Sequence, residues 1–253
     1  MRKATAITII LLLTFHYSNA QSRSSNRMLE EGHILENFEN DEIGTLPHKW
    51  YNQKGEQSVT EFSEEEREKY KYEVVKGRGG NKYLKYSGRR AMHLSLPLIN
   101  KDRENIYGIN IFETPILSWK VRAYKLPENA REDDDSYNDS VASIYVAFDM
   151  GRVALVKKVP KTIRYTWSST LEKGTELSKF FGNQKVVVVE SGDERTGKWI
   201  TFKRNIVEDY RRLFGDDPPK NPIAILILSD GDSTHSWAEA DYDDIKLLPE
   251  QTK

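Results

Sequence analysis

Trp119-Lys120-Val121-Arg122-Ala123-Tyr124 sets apolar or small side chains at one position and polar-tipped ones at the next. A period of two is the signature of a β-strand with one face buried and one in water. Met92-His93-Leu94-Ser95-Leu96 repeats the pattern. Further strand-like runs are Tyr70 to Val75, Lys82 to Tyr86, Val141 to Phe148, Ile163 to Trp167, Val186 to Glu190, Trp199 to Lys203, Ile223 to Leu228 and Ala238 to Leu247. Turn chemistry separates them, as in Gly77-Arg78-Gly79-Gly80-Asn81, Lys173-Gly174 and Ser229-Asp230-Gly231-Asp232. About ten short strands at this spacing predict an all-β fold, an antiparallel β-sandwich, with one or two short helices. Asn205 to Phe214 carries an apolar helical stripe, an Asn N-cap and a stop at Gly215 and Pro218. Phe62 to Lys69, opened by Ser63, reads either as a second short helix or as a solvated excursion.

The flanks set the organisation. Residues 1–20, MRKATAITIILLLTFHYSNA, show a basic start, a short apolar run and a Ser18-x-Ala20 end, the layout of a secretory signal peptide. That run is too short for a stable span, which needs about 20 residues, and no later stretch approaches it. Residues 21–32 read as a polar lead, 33–248 as one domain and 249–253 as a tail. The chain has 38 Lys and Arg against 39 Asp and Glu, and no cysteine. Without the first 20 residues the net charge becomes −3, which argues against a nucleic-acid partner. Lacking disulfides, the fold must be held by its core, and a bacterial periplasm or medium is the expected address.

Chemistry is sparse in the pattern. No G-x-S-x-G, H-E-x-x-H, Walker A or G-x-G-x-x-G motif is present, and the four histidines after residue 20 lack ligand spacing. Asp230-Gly231-Asp232-Ser233-Thr234 follows a buried run, so it sets two carboxylates at a strand end. They either cap a turn or act on a ligand, with Asp230 and Asp232 as acid and base if the protein is an enzyme. Trp167-Ser168 closes a strand whose other members, Arg164 and Thr166, are polar. Trp167 is therefore either core or a sugar-stacking ring beside hydroxyls. Lys120, Arg122 and Tyr124 share a strand face, which is either a solvated face of ion pairs or a basic and aromatic platform for an acidic glycan. The candidate ligand-binding set is thus Lys120, Arg122, Trp167, Ser168, Asp230, Asp232 and Thr234. The acidic run Glu128 to Asp139 reads as a solvated loop or a cation site, and Arg204 with Asp209 as a pair that ties a helix to a sheet.

Two resemblances add to this. Ile34-Leu35-Glu36-Asn37-Phe38-Glu39 with Gly44-Thr45-Leu46-Pro47-His48-Lys49-Trp50, and Ala240 to Leu247 at the other end, resemble the first and last strands of jelly rolls of the galactose-binding and carbohydrate-binding type. The resemblance implies that the two ends pair, and that Glu39 and Asp244 hold a structural Ca²⁺. Over about 34–248 the chain resembles the exported bacterial family known as domain of unknown function 3047. The motifs that carry this are Leu117 to Val121, Asp139 before Val141 to Phe148, Tyr165 to Ser169, Arg204 to Gly215 and Leu228 to Thr234. This chain has Asn205 where the family favours Asp, and Gly231 where it favours Ser. The expected function is binding of carbohydrate or another polar small ligand outside the cell. The alternatives are a glycan hydrolase or lyase, and an envelope protein-interaction module. Whether the chain is an enzyme stays open at this point.

Overall fold

A computed structural model describes residues 32–90, 92–153 and 157–250. The expected signal peptide, nearly all of the lead and the last three residues of the tail lie outside the described residues.

Among the described residues, twelve strands form two six-stranded sheets. The first sheet holds β1 (His33–Glu36), β2 (Tyr72–Lys76), β3 (Lys82–Gly88), β5 (Ile116–Lys125), β10 (Ile200–Asn205) and β12 (Ala238–Leu248). Its order is β10-β5-β12-β3-β2, and β1 adds to β12 with His33 opposite Leu247. The chain ends therefore pair, as the jelly-roll resemblance implies. The second sheet holds β4 (Leu94–Pro97), β6 (Ala142–Val153), β7 (Lys157–Ser168), β8 (Glu176–Lys179), β9 (Gln184–Ser191) and β11 (Ala224–Leu228), in the order β4-β11-β6-β7-β9-β8.

One pair departs from the antiparallel expectation: β7 and β9 run parallel. The chain leaves β7, skips a position, and returns so that β9 inserts between β7 and β8. Burial explains the choice. Val187 and Val189 of β9 face the core, whereas β8 is a short polar strand that suits a sheet margin.

Alternation along β5 places Trp119, Val121 and Ala123 inward. Trp119 packs against Tyr165 of β7 at 5.5 Å and Phe202 of β10 at 5.3 Å. Tyr242 of β12 crosses between the sheets. Its hydroxyl donates to the Leu228 carbonyl at 2.8 Å and accepts from the Ser143 N–H at 3.2 Å, so its polar tip is satisfied inside the core.

Both helix readings become helices. α1 (Glu64–Lys69) starts with a complete capping box between Ser63 and Glu66. α2 (Ile206–Phe214) is capped by Asn205, whose Oδ1 accepts from the Val207 and Glu208 N–H groups, and ends at Gly215 in the left-handed region (φ 75°). The Arg204–Asp209 pair fixes α2 to the sheet as expected: Arg204 Nε and Nη2 reach Asp209 at 2.8 and 2.5 Å, and the Tyr165 hydroxyl donates to it at 2.8 Å.

Candidate functional site

The sequence places Lys120 and Arg122 on the outward side of β5, and sheet order supplies their surroundings. Arg122 stands opposite Asp241 of β12. Its Nε and Nη2 donate to Asp241 Oδ2 at 2.9 and 2.7 Å. Three rings close around the guanidinium: Trp199 at 4.6 Å, Tyr124 at 5.1 Å and Tyr83 at 5.2 Å from ring centroid to Cζ. Tyr83 and Trp199 meet edge to face, 5.5 Å apart at 81°. They come from β3 and from the residue ahead of β10, on opposite sides of the β5–β12 pair. Tyr83 and Trp199 are half-buried and Tyr124 is 47% exposed. Burial pushes the Tyr124 phenol up to about 12, so it remains a hydrogen-bond donor at neutral pH. Burial also raises the Asp241 carboxyl, against the pull of Arg122. Among the described residues Arg122 Nη1 is left without a partner.

Lys120 is drawn to Asp244 at 2.5 Å, and Lys246 holds the other Asp244 oxygen at 2.8 Å. Both basic residues of the face are thus ion-paired. The platform is more aromatic than basic, a shift from the expectation of a cationic surface.

The other expected members lie elsewhere. Trp167 is 1% exposed, packs edge-on to Phe202, and donates its Nε1 hydrogen to the Gly192 carbonyl at 2.9 Å. Ser168 is fully buried, and its hydroxyl donates to Glu132 Oε2 at 2.6 Å. Neither meets a ligand at the surface. The polar alternation of β7 suggested a wet face, but the loop carrying Glu132 covers it, and Thr166 donates to the same carboxylate at 3.1 Å. The acidic run is therefore divided: Glu132 and Asp139 are buried, while Glu128, Asp133, Asp134 and Asp135 face solvent.

Asp230 and Asp232 are joined by Asp139, whose part the sequence did not reveal. One carboxylate oxygen from each of the three lies within 4.8 Å of the others. Asp139 accepts from the Ser233 N–H at 3.1 Å, the Thr234 N–H at 2.7 Å and the Thr234 hydroxyl at 2.6 Å, so Thr234 is a clasp for that carboxylate. Asp230 is 4% exposed and accepts from the Ser140 N–H at 2.7 Å. Burial, with Asp139 and Asp232 beside it, pushes Asp230 up to about 8 against the pull of Arg164. Burial and Asp139 also raise Asp232. A carboxylate group crowded in this way shares protons and locks the turn. A buried Asp230 with one oxygen already engaged is poorly placed to act on a ligand as acid or base.

That shift has a measurable sign. The folded chain keeps the Asp230 proton up to about 8, whereas the unfolded chain releases it near 3.8. Between those values the native state binds the extra proton, so stability falls as pH rises through the window. Asp230→Asn is expected to flatten this slope, leaving the part that Asp243, pushed up to about 6, contributes, and so to draw the thermal midpoints measured near either end closer together. An unchanged slope would contradict burial of an ionisable Asp230 as its cause.

Of the two expected Ca²⁺ carboxylates, Glu39 is held by a backbone N–H and Asp244 by two lysines. The Lys82 N–H donates to Glu39 Oε1 at 2.9 Å, and its ammonium donates to the Glu39 and Asp41 carbonyls at 3.0 and 2.6 Å. Asp244 already has Lys120 and Lys246.

The family model described as Protein of unknown function (DUF3047) matches residues 49–246. The chain belongs to this family. No curated protein matches it. Among solved structures, this DUF3047 chain is similar to an exo-β-agarase, at 11% identity and TM-score 0.42 over 88% of the chain. It spans only 25% of that agarase. It is also similar to the family 30 carbohydrate-binding module of a Clostridium thermocellum cellulosomal cellulase, at 11% identity and TM-score 0.39, covering 83% of this chain and 96% of that one. At such identities these are likenesses of fold alone.

Both departures from the DUF3047 pattern have local readings. Asn205 caps α2 through its Oδ1, a task an Asp carboxylate also performs. At Gly231 a Cβ would fall inside contact distance of the Ser236 carbonyl oxygen, while the Gly231 N–H donates to the Arg89 carbonyl at 3.1 Å. Gly231→Ser is expected to cost this chain about 1–3 kcal/mol, the usual range for overpacking, readable by chemical denaturation. A neutral result would mean that the 229–236 turn shifts freely.

Proposed function

We propose that the protein is an exported carbohydrate-binding module whose binding surface is the outer face of the first sheet, centred on Trp199, Tyr83, Tyr124 and Arg122. The observation that carries this reading is the gathering of three rings around one ion-paired guanidinium on a face that a plain sandwich would cover with scattered charges. A sugar ring presents C–H groups on its flat faces and hydroxyls at its rim. Aromatic faces accept the first by dispersion and burial. Arg122 Nη1 and the exposed Tyr124 take the second through charge-assisted or neutral hydrogen bonds, while the buried Asp241 holds the guanidinium in place.

The charge balance narrows the ligand. Because Arg122 pairs with Asp241 and Lys120 with Asp244, the face lacks the net positive field that would draw a polyanion. Stacking and hydrogen bonding then dominate, and these are screened little by salt. Gel electrophoresis through a panel of embedded polysaccharides, neutral (xylan, glucan, agarose) and acidic (pectate, alginate), tests the proposal. Retardation by a neutral polymer that persists at high salt is expected. No retardation by any member, or retardation by polyanions alone that salt abolishes, would contradict it. An exported address follows from the 1–20 reading. It is consistent with the finding that, among the described residues, no helix is long and apolar enough to cross a membrane.

A further inference from the structure

On the opposite side of the molecule, the outer face of the second sheet buries a cation without an ion-pair partner. Arg164 of β7 is 2% exposed. Its Nε donates to the Ser143 hydroxyl at 2.9 Å and its Nη1 to Asn138 Oδ1 at 2.9 Å, both neutral groups. Its Nη2 is buried and has no hydrogen-bond partner. Among the described residues no carboxylate lies within ion-pairing distance of it. Glu132 and Asp230 act on it electrostatically, and both have engaged oxygens: Glu132 takes Thr166 and Ser168, and Asp230 takes the Ser140 N–H.

A second orphan sits beside it. Register places Arg164 opposite Tyr145 of β6, and Tyr145 opposite Leu226 of β11, which faces Ser95 of β4. His93 lies two residues before Ser95 and therefore on the same side. Its ring meets the Tyr145 ring edge-on at 5.1 Å, while Arg164 Cζ lies 5.6 Å from the same ring. His93 Nδ1 is also buried without a partner. Burial, with Arg164 adding to it, brings His93 down to about 4, so it is neutral at ordinary pH and can donate one hydrogen without adding charge. Burial pushes the Tyr145 phenol up to about 12, so it too stays a donor. His93 is only half-buried, which makes its side the approach from solvent.

Native proteins seldom leave buried polar atoms unmatched, and an unpaired buried charge is costly. Two such atoms lie beside one ring. We propose that Arg164, His93 and Tyr145 form an anion subsite that takes a single carboxylate, such as that of a uronic acid or another small carboxylic acid. One guanidinium balances one negative charge. Arg164 Nη2 and the His93 imidazole offer donors for two oxygens, which matches a carboxylate better than a dianionic phosphate. This inference stands apart from the proposed carbohydrate face, because it uses other residues on the other sheet.

The experiment is a thermal-shift and calorimetric titration of the full chain with D-galacturonate, using D-galactose, acetate and sulfate as separate arms. Galacturonate is expected to raise the melting temperature and acetate to do so more weakly, while galactose leaves it unchanged. His93→Phe, which fills the same volume without the nitrogen, should fold normally and weaken galacturonate binding about tenfold. Arg164→Met should abolish the shift. Because it also loses the bonds to Ser143 and Asn138, its ligand-free melting temperature is measured beside it. If Arg164→Met fails to fold, His93→Phe and Tyr145→Phe carry the test. No shift with either carboxylate, an equal shift with galactose, a shift with sulfate alone, or undiminished binding in the His93 and Tyr145 variants would overturn the proposal.

Discussion

Trp199→Ala is expected to lower affinity for the retarding polysaccharide ten- to a hundredfold, which corresponds to about 1–3 kcal/mol. The ring makes two contributions. It offers a sugar its apolar face, which gains by dispersion and burial. It also walls one side of the Arg122 guanidinium at 4.6 Å and meets Tyr83 edge-on at 5.5 Å. Removing it frees both groups to move, and the ligand must then order them at its own cost. Because Trp199 projects from the outer face, the core around Trp119 stays intact and the melting temperature should change little. Tyr83→Ala should behave in the same way with a smaller effect. Equal retardation of native and Trp199→Ala protein would remove the face from consideration.

Asp209→Ala is expected to cost about 3–5 kcal/mol of folding stability, the range for breaking a buried ion pair by removing one partner. Asp209 is 4% exposed and collects hydrogen bonds from Arg204, from Arg212 at 2.7 Å and from the Tyr165 hydroxyl. Truncation leaves a partly buried guanidinium and a fully buried phenol unmatched, at the point where α2 docks on the sheet. Burial works to raise the Asp209 pKa, but the bonds from Arg204, Arg212 and Tyr165 outweigh it and hold the carboxyl below its ordinary 3.8. A depressed acid stabilises the fold above that value and loses its contribution as pH falls through the folded pKa. The variant's deficit should therefore be full at neutral pH and shrink below about 3.8. Denaturant midpoints at neutral and strongly acid pH measure this. A deficit that does not narrow in acid would assign the loss to packing instead.

The two-layer architecture was legible because alternation is a property of each strand alone. Trp119, Val121 and Ala123 had to turn inward wherever β5 lay, and Asn205 and Gly215 bound α2 without reference to the rest of the chain. The site was only half legible. Alternation shows which way Arg122 points, but not that Asp241 lies opposite it or that Tyr83 and Trp199 reach it from either side of the β5–β12 pair. Those facts follow from sheet order. One signal was available: Tyr83, Tyr124 and Trp199 each occupy an outward position, where an aromatic ring is out of place on a plain solvated face. Trp167 and Ser168 were misleading for the reverse reason, since a polar strand face reads as wet until a loop with a buried Glu132 is found on top of it. Asp139 stands far before Asp230 in the chain, and only the adjacency of β6 and β11 unites them.

The most direct test of the carbohydrate face follows the five tryptophan indole N–H resonances by NMR during titration with an oligosaccharide of the retarding polymer, assigned by single Trp→Phe changes. Trp50, Trp119 and Trp167 are at most 2% exposed and should stay fixed. The Trp199 resonance should shift in step with binding, and its shift should shrink in Tyr83→Ala at the same ligand concentration. A bound ligand that leaves the Trp199 indole unmoved, or that moves only Trp237, would contradict the assignment of this face as the binding surface.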